Sequence, residues 1–235
     1  MMIRIGNFLF RYRNAVFPVV GVLLFINSRP LFASDKLAAI LGFAAGVAGM
    51  TLRGITVGLA YIKRGGLNRQ VYADKLVQGG MFAHCRNPLY VGNLLGILGL
   101  GLISNSQLFI FIAMPFFVFS YLAIVAAEEQ FLRNKFGAEF EDYCRRVGRF
   151  TLNLSGFTKT WQSMAFHWRR IIVKEYGSIF TWIATACVLM GKRHWQGKNP
   201  LDEPSVRLWS VVLVVSTIVY GVTRYLKKHR VLQAD

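Results

Sequence analysis

Long apolar runs alternate along the chain with short basic stretches. A helix needs ~20 mostly apolar residues to cross a hydrocarbon core, and six runs approach that length: Ala15 to Phe32, Leu37 to Ile62, Tyr90 to Ile103, Leu108 to Ala127, Ser178 to Met190 and Leu208 to Tyr225. The third and fourth flank a polar tip, Ser104, Asn105, Ser106 and Gln107, and read as a tight helical hairpin. The fifth is short, so it either extends upstream or is partly re-entrant. Arg4, Arg11 and Arg13 precede the first run, but its exit carries Arg29 and Pro30 and no small-x-small cleavage site, so it reads as an uncleaved helix. Between the fourth and fifth runs, Trp161, Met164, Trp168, Ile171, Ile172 and Glu175 recur at three- and four-residue intervals, with Lys159, Arg169, Arg170 and Lys174 largely on other faces. That pattern predicts an amphipathic helix in the headgroup layer. The fold class expected is all-α: a polytopic integral membrane helical bundle of about six transmembrane helices with one interfacial helix. Residues 1–36 form an N-terminal helix, 37–153 a core built around the hairpin, and 154–235 the amphipathic helix with two further membrane helices.

Composition sharpens this picture. Hydrophobic residues make up 54% of the 235 and charged residues 17%, with a mean hydropathy of +0.40, too little polar surface to coat a soluble globule. The net charge of +17 would suggest nucleic acid in a soluble chain. Here the basic residues cluster between apolar runs, which suits anionic lipid and excludes a nucleic-acid partner. Of the 28 Lys and Arg residues, 21 fall in loops on one side of the six-span topology, including Lys63, Arg64, Arg69 and Arg86. Six fall on the other: Arg29, Lys36, Lys192, Arg193, Lys198 and Arg207. The bias places both termini in the cytoplasm. Cys85, Cys144 and Cys187 form no CxxC, and His84, His167, His194 and His229 no HxxxH, so no metal site is expected.

The chemistry concentrates at two junctions. In Arg86-Asn87-Pro88-Leu89-Tyr90-Val91-Gly92, Pro88 suits the first turn of a helix and Asn87 its N-cap. A helix N-terminus presents unpaired amides, and Arg86 beside it offers a planar fork for a carboxylate or phosphate. Gly92 leaves space for another helix or a ligand. The same residues equally describe an ordinary capped helix. At the second junction, Glu128 and Glu129 end a long apolar run where the helix dipole disfavours them. A cation must offset them: Arg53, Arg86, a loop lysine, a ligand's ammonium or sulfonium group, or Arg133 or Arg146. Beyond them Gly137 suits a helix stop, and Phe136, Phe140, Tyr143 and Val147 make one apolar face, with Glu141–Arg145 and Asp142–Arg146 pairs on the other. Tyr143 with Arg145, Arg146 and Arg149 could close over an anion. Arg53 lies ~13 Å into the second run at 1.5 Å per residue, facing a polar cavity.

Together, Arg86-Asn87-Pro88-Leu89-Tyr90-Val91-Gly92, a hydrophobic hairpin, Glu128-Glu129, Phe131-Leu132, Phe136-Gly137 and Tyr143 resemble the signature of the isoprenylcysteine carboxyl methyltransferase and phospholipid methyltransferase superfamily. The resemblance covers roughly Ala45 to Asn153. It implies an integral-membrane, S-adenosylmethionine-dependent methyltransferase with a cytoplasmic cofactor cleft in the core, acting on a lipid-like or isoprenylated acceptor. Carried over by position, Arg86, Asn87, Pro88, Tyr90, Gly92, Glu128 and Glu129 would bind the cofactor. Arg86 and Arg53 are the candidate catalytic residues, Arg53 through the acceptor. Many relatives have His where Asn87 stands, and residues after Asn153 have no counterpart in the minimal family core. Two other readings remain: an NADPH-dependent membrane enzyme of the sterol-reductase type, and a non-catalytic membrane scaffold.

Overall fold

A computed structural model describes residues 1–60, 72–194 and 204–233. Lys63, Arg64, Arg69 and Lys198, counted above for charge, lie outside the described residues. The described chain is helical: α1 (Met2–Gly21), α2 (Asp35–Leu59), α3 (Pro88–Ser104), α4 (Met114–Phe136), α5 (Ala138–Arg146), α6 (Phe157–Ser163), α7 (Trp168–His194) and α8 (Pro204–Lys228). Five stretches have the length and apolarity to cross a membrane: Met2–Phe25, Asp35–Leu59, Phe109–Phe136, Trp168–Arg193 and Pro204–Lys228. The apolar α3 is shorter, at 17 residues.

The first helix differs from expectation. It begins at Met2, not Ala15, so Arg4, Arg11 and Arg13 lie on it rather than ahead of it. Leu9 and Phe10 are buried and pack with Tyr121, Ala123 and Ile124 of α4, and this tertiary contact keeps the basic stretch helical. Pro18 sits inside α1, and the chain tightens to a 3-10 turn over Val22–Phe25. At the start of α4, Pro115 has no amide to donate, and a π turn over Phe109–Ala113 precedes it.

Water gives no hydrophobic drive between helices inside a bilayer, so close backbone approach must hold them. The α2–α3 pair is the most extensive helix contact, and both helices present glycines at matching intervals: Gly42, Gly46 and Gly49 against Gly92, Gly96 and Gly99. A Cβ at Gly42 would stand 2.6 Å from the Gly99 carbonyl oxygen, and one at Gly49 2.6 Å from that of Gly92. Over this seam lies Trp182 of α7, whose indole covers Gly46 and donates to the Gly96 carbonyl at 2.9 Å. The helix pairs α1–α4 and α7–α8 complete the bundle.

Arg53 fastens α7 a second time. Its Nε and Nη2 donate to Glu175 Oε2 at 2.9 and 2.6 Å, Nη2 also to Ser178 Oγ at 3.2 Å, and Nη1 to Asn93 Oδ1. The polar cavity expected for Arg53 is therefore filled by a carboxylate from another helix. The amphipathic stretch thought to lie in the headgroups as one helix is split: Trp161 is on α6, the chain is non-helical around Phe166, and Trp168 to Glu175 form the first two turns of α7. That upstream extension makes the fifth membrane helix full length.

The connections gather at two ends. At one, Asn105 ends α3 at φ 52 and stitches the hairpin tip to the first loop. Its side chain accepts from Phe32 N at 2.8 Å and donates to Phe32 O and Asp35 Oδ1 at 2.9 and 2.7 Å. Leu31 N and Gln107 N donate to Asn105 O and Arg29 O. Arg193 pairs with Asp35 at 2.9 Å, and Lys192 reaches Phe25 O at 2.6 Å. The motif-bearing loops occupy the opposite end.

Two stability predictions follow. Gly49→Ala forces a methyl into the α2–α3 seam and costs about 1–3 kcal/mol, whereas Gly177→Ala, with nothing within 4 Å, gains about 0.5–1 kcal/mol from helix propensity. Thermal unfolding in detergent should move in opposite directions for the two. Glu175→Gln leaves a buried guanidinium without its counter-charge and costs about 3–5 kcal/mol, much of which a double replacement, Arg53→Met with Glu175→Leu, restores. Equal melting temperatures for the single and double variants would contradict this.

Candidate functional site

Pro88 opens α3 and is buried. Asn87 stands at the cap position, but its side chain bonds no α3 amide; Nδ2 donates to the Arg149 carbonyl at 3.0 Å. The expected side-chain cap is thus replaced by a tie to the loop after α5, because that loop runs alongside: Arg86 N donates to Gly148 O at 2.9 Å.

Arg86 closes the same junction. Nη1 donates to the carbonyls of Cys144 and Val147 at 3.0 and 2.9 Å, meeting acceptors that the end of α5 leaves without helical partners. Nη2 bonds Glu129 Oε1 at 2.9 Å, with the side chains 11% and 6% exposed. Arg149 approaches Glu129 from the other side, Nε to Oε1 at 3.0 Å and Nη2 to Oε2. Glu129 is therefore held between two guanidiniums. Arg86 Nε is buried and has no acceptor. Tyr143 takes no part in an anion cover: its hydroxyl donates to Phe82 O at 2.7 Å, and burial holds its pKa above the ordinary tyrosine range. The cations named beside it are also engaged, Arg145 with Asp142 and Arg146 with Gln78. The i,i+4 pairs expected on α5 are replaced because Arg133 reaches Glu141 across the Gly137 bend.

Glu128 points elsewhere. Its Oε1 accepts from the Tyr90 hydroxyl at 2.7 Å, joining α3 to α4. Arg13 of α1 lies behind, Nη1 3.5 Å from the same hydroxyl and its guanidinium 4.5 Å from the centre of the Phe10 ring. Tyr121 packs 5.1 Å from Tyr90, centre to centre. Arg13, Tyr90 and Glu128 are all half-buried, forming a string of cation, hydroxyl and carboxylate at the junction where α1 lies on the α3–α4 hairpin.

The remaining candidates sit one turn away. Gly92 receives α2 rather than open space, since a Cβ there would meet Arg53 Cγ at 2.6 Å and the Gly49 carbonyl at 2.8 Å. Arg53 and Asn93 share a bond beside it. His84 is buried, Nδ1 donating to Asn153 O at 2.7 Å and Nε2 bonded to Thr160 Oγ1 at 2.9 Å, which holds α6 to the core. Burial raises the Cys85 thiol above its ordinary range, so it is a poor nucleophile.

Tyr90 and Glu128 thus meet, as do Arg86 and Glu129, while Arg53 belongs to a separate pair with Glu175. Arg149, expected in an anion cover with Tyr143, instead pairs with Glu129, and Arg13, Asn93 and Glu175 carry no local signal that marks them as site residues. Arg13 had the look of a flanking charge because the first run was begun at Ala15. Glu175 was visible only as one position of an amphipathic face.

Residues 38–139, which carry Arg53, Arg86, Tyr90, Glu128 and Glu129, match the phospholipid methyltransferase family, PEMT. Among curated proteins, the cobalt-zinc-cadmium resistance protein CzcN of Cupriavidus metallidurans is 34% identical over 154 residues, 64% of this chain and 68% of that protein. The nickel-cobalt-cadmium resistance protein NccN of Alcaligenes xylosoxydans xylosoxydans is 39% identical over 85 residues, 36% of this chain and 39% of that protein. No solved structure matches. With its apolar spans and the two halves of its motif joined by Tyr90–Glu128 and Arg86–Glu129, the chain belongs to the phospholipid methyltransferase family, within the isoprenylcysteine and phospholipid methyltransferase superfamily of membrane proteins.

Proposed function

We propose that the protein is an S-adenosylmethionine-dependent methyltransferase whose acceptor is a lipid-like or isoprenylated molecule reaching the site from the bilayer. The observation that carries this reading is the half-buried Tyr90–Glu128 bond, which joins the two halves of the family motif. The donor set fits the cofactor: a carboxylate for its ammonium group, two aromatic faces for a sulfonium, and a buried Arg86 Nε that lacks an acceptor. When bound, S-adenosylmethionine supplies a methyl group activated on sulfur.

The chain's own part is alignment and exclusion of water, which an in-line displacement needs more than it needs a metal. Tyr90 and Glu128 line the cleft and fix polar groups at its mouth. Arg86 and Glu129 hold the wall by tying α3, α4 and the end of α5 together. Pro88 and Asn87 set where α3 begins, and Gly92 lets α2 pass close behind. Arg53 acts from the rear of α3 through Asn93. Helices from both the 1–36 and the 154–235 segments serve the 37–153 core, α1 flanking Tyr90 and α7 supporting Arg53. The excess of basic residues on the motif-bearing side supports a cytoplasmic position for that end and for both termini.

The relatives' names tie them to resistance to cobalt, zinc, cadmium and nickel. Among the described residues no three His, Cys, Asp or Glu side chains gather as a metal site, and a +17 chain repels free cations. A part in metal tolerance would run through a methylated membrane component.

Two experiments test the proposal. Purified protein given methyl-labelled S-adenosylmethionine and a lipid extract should transfer label to an organic-soluble product, and loss of the gene should remove that product from the lipid profile; transfer to no lipid fraction would refute the acceptor class. Separately, Glu128→Gln should raise the Kd for S-adenosylmethionine at least tenfold with little change in melting temperature. Glu129→Gln should instead destabilise the protein by about 3–5 kcal/mol, because it breaks a buried ion pair. Unchanged cofactor binding in Glu128→Gln would favour the scaffold reading.

A further inference from the structure

Among the described residues, the three arginines other than Arg13 nearest the motif each have a carboxylate partner. Arg53 pairs with Glu175, and Arg86 and Arg149 share Glu129. Arg13 forms no ion pair among the described residues. It lies on a helix apolar enough to span a membrane, eleven residues after Met2, or about 17 Å along the axis. A charge at such depth is disfavoured and normally faces the bundle interior or a polar cleft. Arg13 does face inward, over Phe10 and toward Tyr90.

Its one polar contact among the described residues is long. The 3.5 Å from Nη1 to the Tyr90 hydroxyl exceeds the usual N–H···O range, while that hydroxyl gives its proton to Glu128 at 2.7 Å. A guanidinium carries five N–H donors in a fork suited to two-point contact with an oxyanion. Most of that capacity is unmatched. Glu128 forms no ion pair with it among the described residues, its Oε1 accepting from Tyr90 instead. The resulting cleft has a cationic side on α1 and an anionic side on α4.

We infer that Arg13 is the oxyanion anchor of this site: it binds either the carboxylate of the methyl donor or the phosphate of a lipid headgroup, and so makes α1 part of the binding machinery. The inference rests on the reading of the cleft as the methyl-transfer site, and it moves the anion-binding role from Arg86, already engaged by two carbonyls and Glu129, to a residue outside the matched family region. Charge balance supports it. A zwitterionic or anionic ligand entering beside Tyr90 would meet Arg13 with its negative group, leaving Glu128 for a cationic one.

The test uses the full chain in detergent and compares wild type, Arg13→Gln, Arg13→Lys and the exposed neighbour Arg11→Gln, with melting temperatures recorded for each. In the first arm, S-adenosylmethionine and its decarboxylated analogue are titrated calorimetrically. If Arg13 holds the donor's carboxylate, wild type and Arg11→Gln prefer S-adenosylmethionine at least tenfold, and Arg13→Gln binds the two alike. In the second arm, dihexanoyl phosphatidate is titrated against dihexanoyl glycerol. If Arg13 holds a lipid phosphate, Arg13→Gln loses at least tenfold of the preference for phosphatidate while its affinity for S-adenosylmethionine stays that of wild type. Arg13→Lys, which keeps charge without the fork, should fall between. Arg13→Gln behaving as Arg11→Gln in both arms, or wild type showing no preference in either, would overturn the assignment. If S-adenosylmethionine does not bind at all but phosphatidate discrimination depends on Arg13, the anchor stands and the methyl-transfer reading fails.

Discussion

The architecture depends on how closely α2 and α3 approach. In a bilayer the lipid chains are as apolar as the helix surfaces, so helices stay together through packing and a few polar contacts. Six glycines in matched register let the two backbones come within van der Waals reach, and everything that defines the site is referenced to that seam. Trp182 seats α7 on it. Arg53 passes beside Gly92 to reach Asn93. Tyr90 is placed on the side of α3 that faces α4 and α1, so the cleft is the far side of the same close contact.

Charge is handled by separating two adjacent glutamates. Glu129 faces the crossing of α3, α4 and the α5 loop, where its pair with Arg86 is nearly dry and the half-exposed Arg149 completes the contact. Buried pairs of this kind contribute little net stability relative to an apolar replacement, yet breaking one is costly, so they act as locks on geometry. Glu128, one residue earlier and about 100° around the helix, faces the cleft and meets only the Tyr90 hydroxyl. Neighbouring residues of one type therefore have different environments because the helix turns them apart.

Much of this was legible in the sequence, for reasons that can be named. The spans followed from apolar length, the α3–α4 hairpin from its polar tip, and the apolar face of Phe140, Tyr143 and Val147 from helical spacing. The family signature drew attention to Tyr90 and Glu128 together. Partnerships across distant elements were not legible. Arg53 and Glu175 are 122 positions apart, and no local pattern pairs them. Glu141 chose Arg133 over Arg145 because the positive φ of Gly137 folds α5 back toward α4, a direction that spacing along one helix does not encode. The start of α1 was missed because Arg4, Arg11 and Arg13 lower its apolarity, while the contact that keeps it helical comes from α4.

Asn105 has a consequence for how the bundle can move. By bonding both backbone groups of Phe32 and the side chain of Asp35, it joins the α1–α2 loop to the hairpin tip, and Arg193 and Lys192 add the end of α7 to the same knot. A shift of any one of these three elements must therefore carry the other two with it, so this rim acts as a single hinge plate across three connections that are far apart along the chain.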